Sequence, residues 1–138
     1  MKFIVLVKAS PESEKGVMPD EKILAAMGKF NEELAKAGVI LDLNGLHPSA
    51  KGARLKFDGS KRTITDGPFP ETKELVAGYW VLQCKSREEC IEWMKRAPFD
   101  GGTEIEIRQI WDPSEFEMSA ETKATHQRVA DQIFSPKS

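Results

Sequence analysis

Two uninterrupted apolar runs constrain this chain most: Phe3-Ile4-Val5-Leu6-Val7 near its start, and Leu75-Val76-Ala77-Gly78-Tyr79-Trp80-Val81-Leu82 past its middle. Both are dominated by β-branched and aromatic residues, the pattern of strands covered on both faces. Such strands belong inside a sheet, so the rest of the chain must supply the edges and the cover. At 138 residues it is long enough to bury a core as one domain.

The intervening segments read as alternating elements. Ser10 to Val17 is a polar loop, and Pro19-Asp20-Glu21 opens a helix with proline at its first position. Ile23, Met27, Phe30 and Leu34 give that helix one apolar face, and Gly38 ends it. Val39 to Leu46 is a second strand. Ala53 to Phe57 and Lys61 to Thr65 form a hairpin around Asp58-Gly59. Ser86-Arg87-Glu88-Glu89 is a capping box for a helix with Cys90, Ile91 and Met94 on its core side, stopped by Pro98. Ile105 and Ile107 alternate with Glu104, Glu106 and Arg108, with Ile110 after them, in a last strand, which Asp112-Pro113 breaks, and Ser119 to Phe134 is a terminal helix. Its Val129, Ile133 and Phe134 are placed to pack on the body or on a second copy.

The order β-α-β-(hairpin)-β-α-β predicts an α+β, ferredoxin-like βαββαβ sheet with an inserted hairpin and an extra C-terminal helix. The first and third main strands would be central, which agrees with their apolar runs. Both helices cover one face only. The other face then carries several hundred Å² of apolar surface by rough estimate, too much for a lone monomer. A twofold-related copy is the economical cover, so a homodimer is expected. The domain is placed at 1–112, and 113–138 is a helical extension.

Charge and composition narrow the partners. The 20 basic and 22 acidic residues are well mixed and show no basic stripe, which argues against direct binding of nucleic acid. No apolar run approaches the ~20 residues that span a bilayer, so no membrane association is expected. The N-terminal apolar run is too short for a signal segment, and a cytoplasmic location is expected. Cys84, at a strand end, and Cys90, inside a helix, read as a reduced, buried pair.

Asp66-Gly67-Pro68-Phe69-Pro70-Glu71-Thr72-Lys73-Glu74 is the candidate site segment. A turn needs Asp-Gly-Pro; it does not need two further acids, a threonine and a lysine before a buried strand. A polar cluster at the mouth of a core strand is a common place for binding or chemistry. Asp66 can be a general base or can fix the turn by accepting backbone N–H bonds. His47, before Pro48, is the other catalytic candidate, because imidazole chemistry suits neutral pH. Glu71, Thr72, Lys73 and Glu74 can bind a polar ligand, or Lys73 can bridge to Glu71, Glu74 or Glu104 as an internal network. Tyr79 and Trp80 must point to opposite faces of one strand, and the one facing away from the helices can stack on a planar ligand. Phe69 is expected to plug the loop into the core, and His126 to face solvent. Two His and two Cys lack metal-ligand spacing, and no nucleotide-binding glycine loop or nucleophile elbow is present, so neither metal nor cofactor is expected.

The same segment resembles the YCII-related superfamily, in particular its DGPF branch, whose signature is close to D-G-P-F-x-E-T-K-E. Asp66 to Glu74 matches it with Pro70 in the variable slot. Gly45-Leu46-His47-Pro48, Gly78-Tyr79, Trp93 and Glu104 to Arg108 agree further, over roughly residues 1 to 112. The resemblance implies a dimeric α+β barrel in which two ferredoxin-like sheets face each other. It implies likeness to small-molecule enzymes of the muconolactone-isomerase and monooxygenase kind, some of whose relatives carry a His–Asp pair. DGPF relatives also occur beside sigma-factor-type regulators. Two readings follow: a small-molecule enzyme of proton-transfer chemistry, or a dimeric regulatory or interaction module.

Overall fold

The computed structural model describes residues 1–134. Its six strands are β1 (Lys2–Lys8), β2 (Ile40–Gly45), β3 (Ala53–Asp58), β4 (Lys61–Asp66), β5 (Val76–Gln83) and β6 (Ile105–Gln109). The main sheet runs β2-β5-β1-β6 with every pair antiparallel. Counting only its four strands, the order is that of a ferredoxin-like α+β sheet. The two apolar runs occupy the two central positions, as expected of strands buried on both sides.

Helices α2 (Glu21–Lys36) and α3 (Arg87–Met94) cover one face. Phe3 and Val5 of β1, Trp80 and Leu82 of β5, Phe30 and Leu34 of α2, and Cys90 and Met94 of α3 form the core. Trp80 is held edge-on between Phe30 and Phe99, with ring centroids 6.1 and 5.9 Å away. Its indole N–H donates to Asn31 Oδ1 at 2.8 Å, so the one polar atom of the ring is satisfied. Cys84 and Cys90 are free and buried, and burial pushes the Cys90 thiol up to about 12.

The strand register assigns the second face. Ile4 opposes Val81 and Arg108, Leu6 opposes Tyr79 and Glu106, and Tyr79 opposes Asn44. This face is therefore mixed: half-buried Ile4, Leu6, Tyr79 and Val81 at its centre, with Asp42, Asn44, Glu106 and Arg108 around them.

Local structure differs from the sequence reading in four places. Ser10 to Val17 is not simply a loop. It contains α1 (Pro11–Glu14), because Ser10 and Ser13 exchange capping hydrogen bonds at 3.1 and 2.9 Å and Pro11 favours a first turn. Pro19 does not start α2; Asp20 caps it, accepting from Ile23 N at 2.9 Å. Ser86 caps α3 by accepting from Glu89 N at 3.1 Å, but the Glu89 carboxylate accepts from Lys85 N, one residue before the cap. Phe69 does not enter the core; it is half-buried under the Arg54 guanidinium, 3.8 Å from the ring centroid.

The β3–β4 hairpin stands apart as a two-stranded sheet, with Asp58 paired to Lys61 across Gly59-Ser60. Gly59 takes φ +60°, which glycine adopts freely. After β6, Asp112 caps a short 3-10 turn at Pro113–Glu115, and α4 (Ala120–Phe134) follows. No residue of α4 is buried; Val129, Ile133 and Phe134 are 45, 63 and 77% exposed. Among the described residues no helix is long and apolar enough to cross a membrane.

Candidate functional site

An open cleft of about 1730 Å³ lies at the end of the sheet where β1 finishes. Val7, Leu46, Ala77 and Phe99 give it apolar surface, and His47, Lys73, Lys8 and Glu104 give it charge or hydrogen-bonding groups. Backbone bonds hold the strand ends that form it: Leu46 N donates to Ala77 O at 2.8 Å, Ala9 N to Leu75 O at 2.9 Å and Lys8 N to Glu104 O at 3.1 Å. The Lys8 ammonium is fixed 3.3 Å from Glu106. Lys15, Lys51 and Lys73 border the same cleft and have no carboxylate within ion-pair reach among the described residues.

Ser49 ties the surrounding segments together. Its backbone N–H donates to Glu14 Oε2 at 2.9 Å, and its hydroxyl donates to Glu14 Oε1. The same hydroxyl oxygen accepts from Phe69 N at 3.0 Å. The two bonds from Ser49 hold the Glu14 carboxyl below the ordinary 4.5 of a glutamate, because they favour its charged form. Gly67 presses on the same turn, and a Cβ there would sit 1.8 Å from Ser49 O. The 67th position therefore accepts only glycine with the turn in place.

The signature loop is held by its own chain. Gly67 N donates to Gly52 O at 3.0 Å, and Arg54 stacks on Phe69 while reaching Glu71 Oε2 at 3.6 Å. A 3-10 turn at Thr72–Glu74 then delivers Lys73 to the cleft wall.

The structure brings together only part of the set selected from sequence. His47 and Lys73 line the cleft; Asp66, Glu71, Thr72 and Glu74 do not. Asp66 is exposed at the end of β4, opposite Ala53, and among the described residues no backbone N–H reaches its carboxylate. The turn is fixed by Gly67 instead. Lys73 does not bridge to Glu71, which Arg54 takes. Of the aromatic pair, Trp80 faces the helices and Tyr79 the other face. The Tyr79 hydroxyl donates to Asp42 Oδ2 at 3.1 Å and accepts from Asn44 Nδ2 at 2.9 Å. His126 is exposed on α4.

Five residues here escaped the sequence reading: Glu14, Ser49, Arg54, Asp42 and Asn44. Asp42 and Asn44 carried a signal, two polar residues at alternate positions of an otherwise apolar strand. Glu14 and Ser49 carried none, because they are 35 residues apart and meet only in the fold. Among the described residues, no three His, Cys, Asp or Glu side chains converge as metal ligands.

The arrangement can hold a small, partly apolar molecule with a charged group. Lys73 offers an ammonium and His47 an imidazole, on a floor of aliphatic side chains.

A family model described as YCII-related domain matches residues 1–117. An "Uncharacterized protein R00369" of Rhizobium meliloti (strain 1021) is 25% identical over 100 residues, covering 70% of this chain and 81% of that protein. Among solved structures, 5-chloro-2-hydroxyhydroquinone dehydrochlorinase (TftG) from Burkholderia phenoliruptrix AC1100, in complex with 2,5-dihydroxybenzoquinone, is 16% identical with a TM-score of 0.40. That match covers 81% of this chain and 94% of the other. With the ferredoxin-like order of its sheet and a family match over most of its length, the chain belongs to the YCII-related family.

Proposed function

We propose that the protein is a homodimeric, small-molecule-binding member of the DGPF branch, acting in the cytoplasm as an enzyme of proton-transfer chemistry of the isomerase or lactone type. The observation that carries this reading is that His47 and Lys73 line one cleft together with the apolar Val7, Leu46 and Ala77. Lys73 would hold an anionic group of the ligand and His47 would move a proton, a reaction that acid–base side chains can run without metal or cofactor. Asp66, Glu71, Thr72 and Glu74 would shape the loop that carries Lys73. Tyr79, with Asp42 and Asn44, would line the space between two facing sheets. We also propose that residues 113–138 form an extension that braces the dimer, beyond a domain at 1–112.

The test is a titration of the ¹⁵N-labelled protein with salicylate and with muconolactone as probes. Shifts should cluster at residues 7–16, 45–51 and 73, and His47→Ala and Lys73→Ala should each weaken binding at least tenfold. Shifts that avoid these segments, or none at millimolar probe, would remove the reading.

One observation favours the second reading, a dimeric regulatory or interaction module linked to sigma-factor-type regulators. Phe69 and Glu71 of the signature are both engaged by Arg54 of the same chain, as a structural motif requires. On that reading Asp66→Ala and Glu74→Ala lower the melting temperature or shift dimer to monomer. Full stability and an unchanged mass would count against it.

A further inference from the structure

The β3–β4 hairpin has two unlike faces. Arg54, paired with Thr65, belongs to the face turned to its own chain, where it holds Phe69 and Glu71. Leu55 pairs with Ile64 and Phe57 with Arg62 on the other face. There Leu55, Phe57 and Ile64 are 51, 66 and 70% exposed. All residues of both strands are exposed, and two strands alone are marginal in water.

We infer that this apolar face is an interaction surface whose occupant is a second copy of the chain, each hairpin clasping the other protomer. The inference deepens the homodimer reading above and rests on it. Area favours the second copy. The three side chains present on the order of 350 Å² of apolar surface per hairpin. One such contact, with its matching surface, removes only about 700 Å² from water, below the ~1,200–2,000 Å² of a specific interface. Twofold symmetry makes the contact twice and brings the total to about 1,400 Å².

Charge points the same way. Of the 20 basic and 22 acidic residues, the hairpin holds four and two, which leaves the rest of the chain the more acidic. On the apolar face itself Arg62 lies over the Phe57 ring, 4.4 Å from its centroid, and has no carboxylate partner among the described residues; Lys56 and Lys61 belong to the opposite face. A cationic hairpin is thus attracted to the acidic remainder of another copy.

The experiment compares the full chain with a Phe57→Glu/Ile64→Glu variant by sedimentation equilibrium. Both side chains are exposed in the protomer, so the circular-dichroism spectrum should not change. The wild type is expected at the mass of two chains, and the variant at least a hundredfold weaker in association. A dimeric wild type with an equally tight variant would overturn the clasp and leave the homodimer reading standing. A monomeric wild type would overturn both. A photo-crosslinker at position 57, in a mixture of ¹⁴N and ¹⁵N chains, gives an independent readout. Mixed-isotope pairs are expected, and crosslinks confined to one chain would overturn the clasp even if the double variant failed to fold.

Discussion

The Ser49 turn joins Glu14 of the cleft wall to Phe69 of the signature loop through single atoms, so its neighbours tolerate little change. Gly67→Ala would drive a Cβ into Ser49 O and force apart the bonds to Glu14 and Phe69. We expect a loss of about 3 kcal/mol in urea unfolding, near the upper end for overpacking. A loss under about 0.5 kcal/mol would show that the turn yields freely. Cys90 gives a pH signature. Its thiol ionises near 9.0 when unfolded and is pushed up to about 12 by burial, with Cys84 and Glu89 adding to the effect. Above pH 9 the unfolded chain has released a proton that the native chain keeps. Stability from this group is therefore complete below about pH 9 and falls as pH rises towards 12. A Cys90→Ala variant should have a melting temperature less sensitive to pH between 9 and 11. Native thiols should also be inert to a thiol reagent at pH 8 and react fully in guanidinium; fast native labelling would contradict this burial.

Elements with their own period or cap were legible in the sequence. The spacing of Met27, Phe30 and Leu34 marked α2, and Ser86 marked α3, because helix periodicity and caps are local. α1 was read as loop because a four-residue helix has no apolar face to reveal it; its signal was the Ser10/Ser13 pair beside Pro11. The terminal helix was legible in kind but not in place. Its Val129, Ile133 and Phe134 stay exposed among the described residues, with only the Lys2 ammonium, 5.9 Å from the ring centroid, set over Phe134. Deleting residues 113–138 should therefore leave the strand and helix signal of the body intact while lowering the sedimentation mass or the melting temperature of the proposed dimer. If neither moves, the extension does not brace the dimer.

At the scale of the molecule, the sheet explains why a second copy is expected and also why the shared interior would not be dry. Ile4, Leu6, Tyr79 and Val81 supply apolar surface, while Asp42, Asn44, Glu106 and Arg108 bring polar groups to the same face. Val81→Lys should keep the protomer's circular-dichroism spectrum, because Val81 points away from the helices. In the proposed facing-sheet dimer it should also drop the sedimentation mass towards a single chain, because a charged side chain would be carried into the space between the sheets. A Val81→Lys protein that remains dimeric would place the interface elsewhere, with the hairpin as the first alternative.

Order and centrality of the strands were determined by sequence alone, since burial on both faces leaves a continuous apolar run and burial on one leaves alternation. The signature loop was also found in sequence, but what it does was not. Tertiary structure decided that Lys73 reaches the cleft while Asp66, Glu71, Thr72 and Glu74 stay outside it. It decided as well that Arg54 holds Phe69 and that Ser49 binds Glu14. The physical reason is range. Periodicity and capping act within a few residues and leave a mark in the order of side chains. A carboxylate 35 residues from its hydroxyl partner leaves none, because the fold alone sets which chain segments meet.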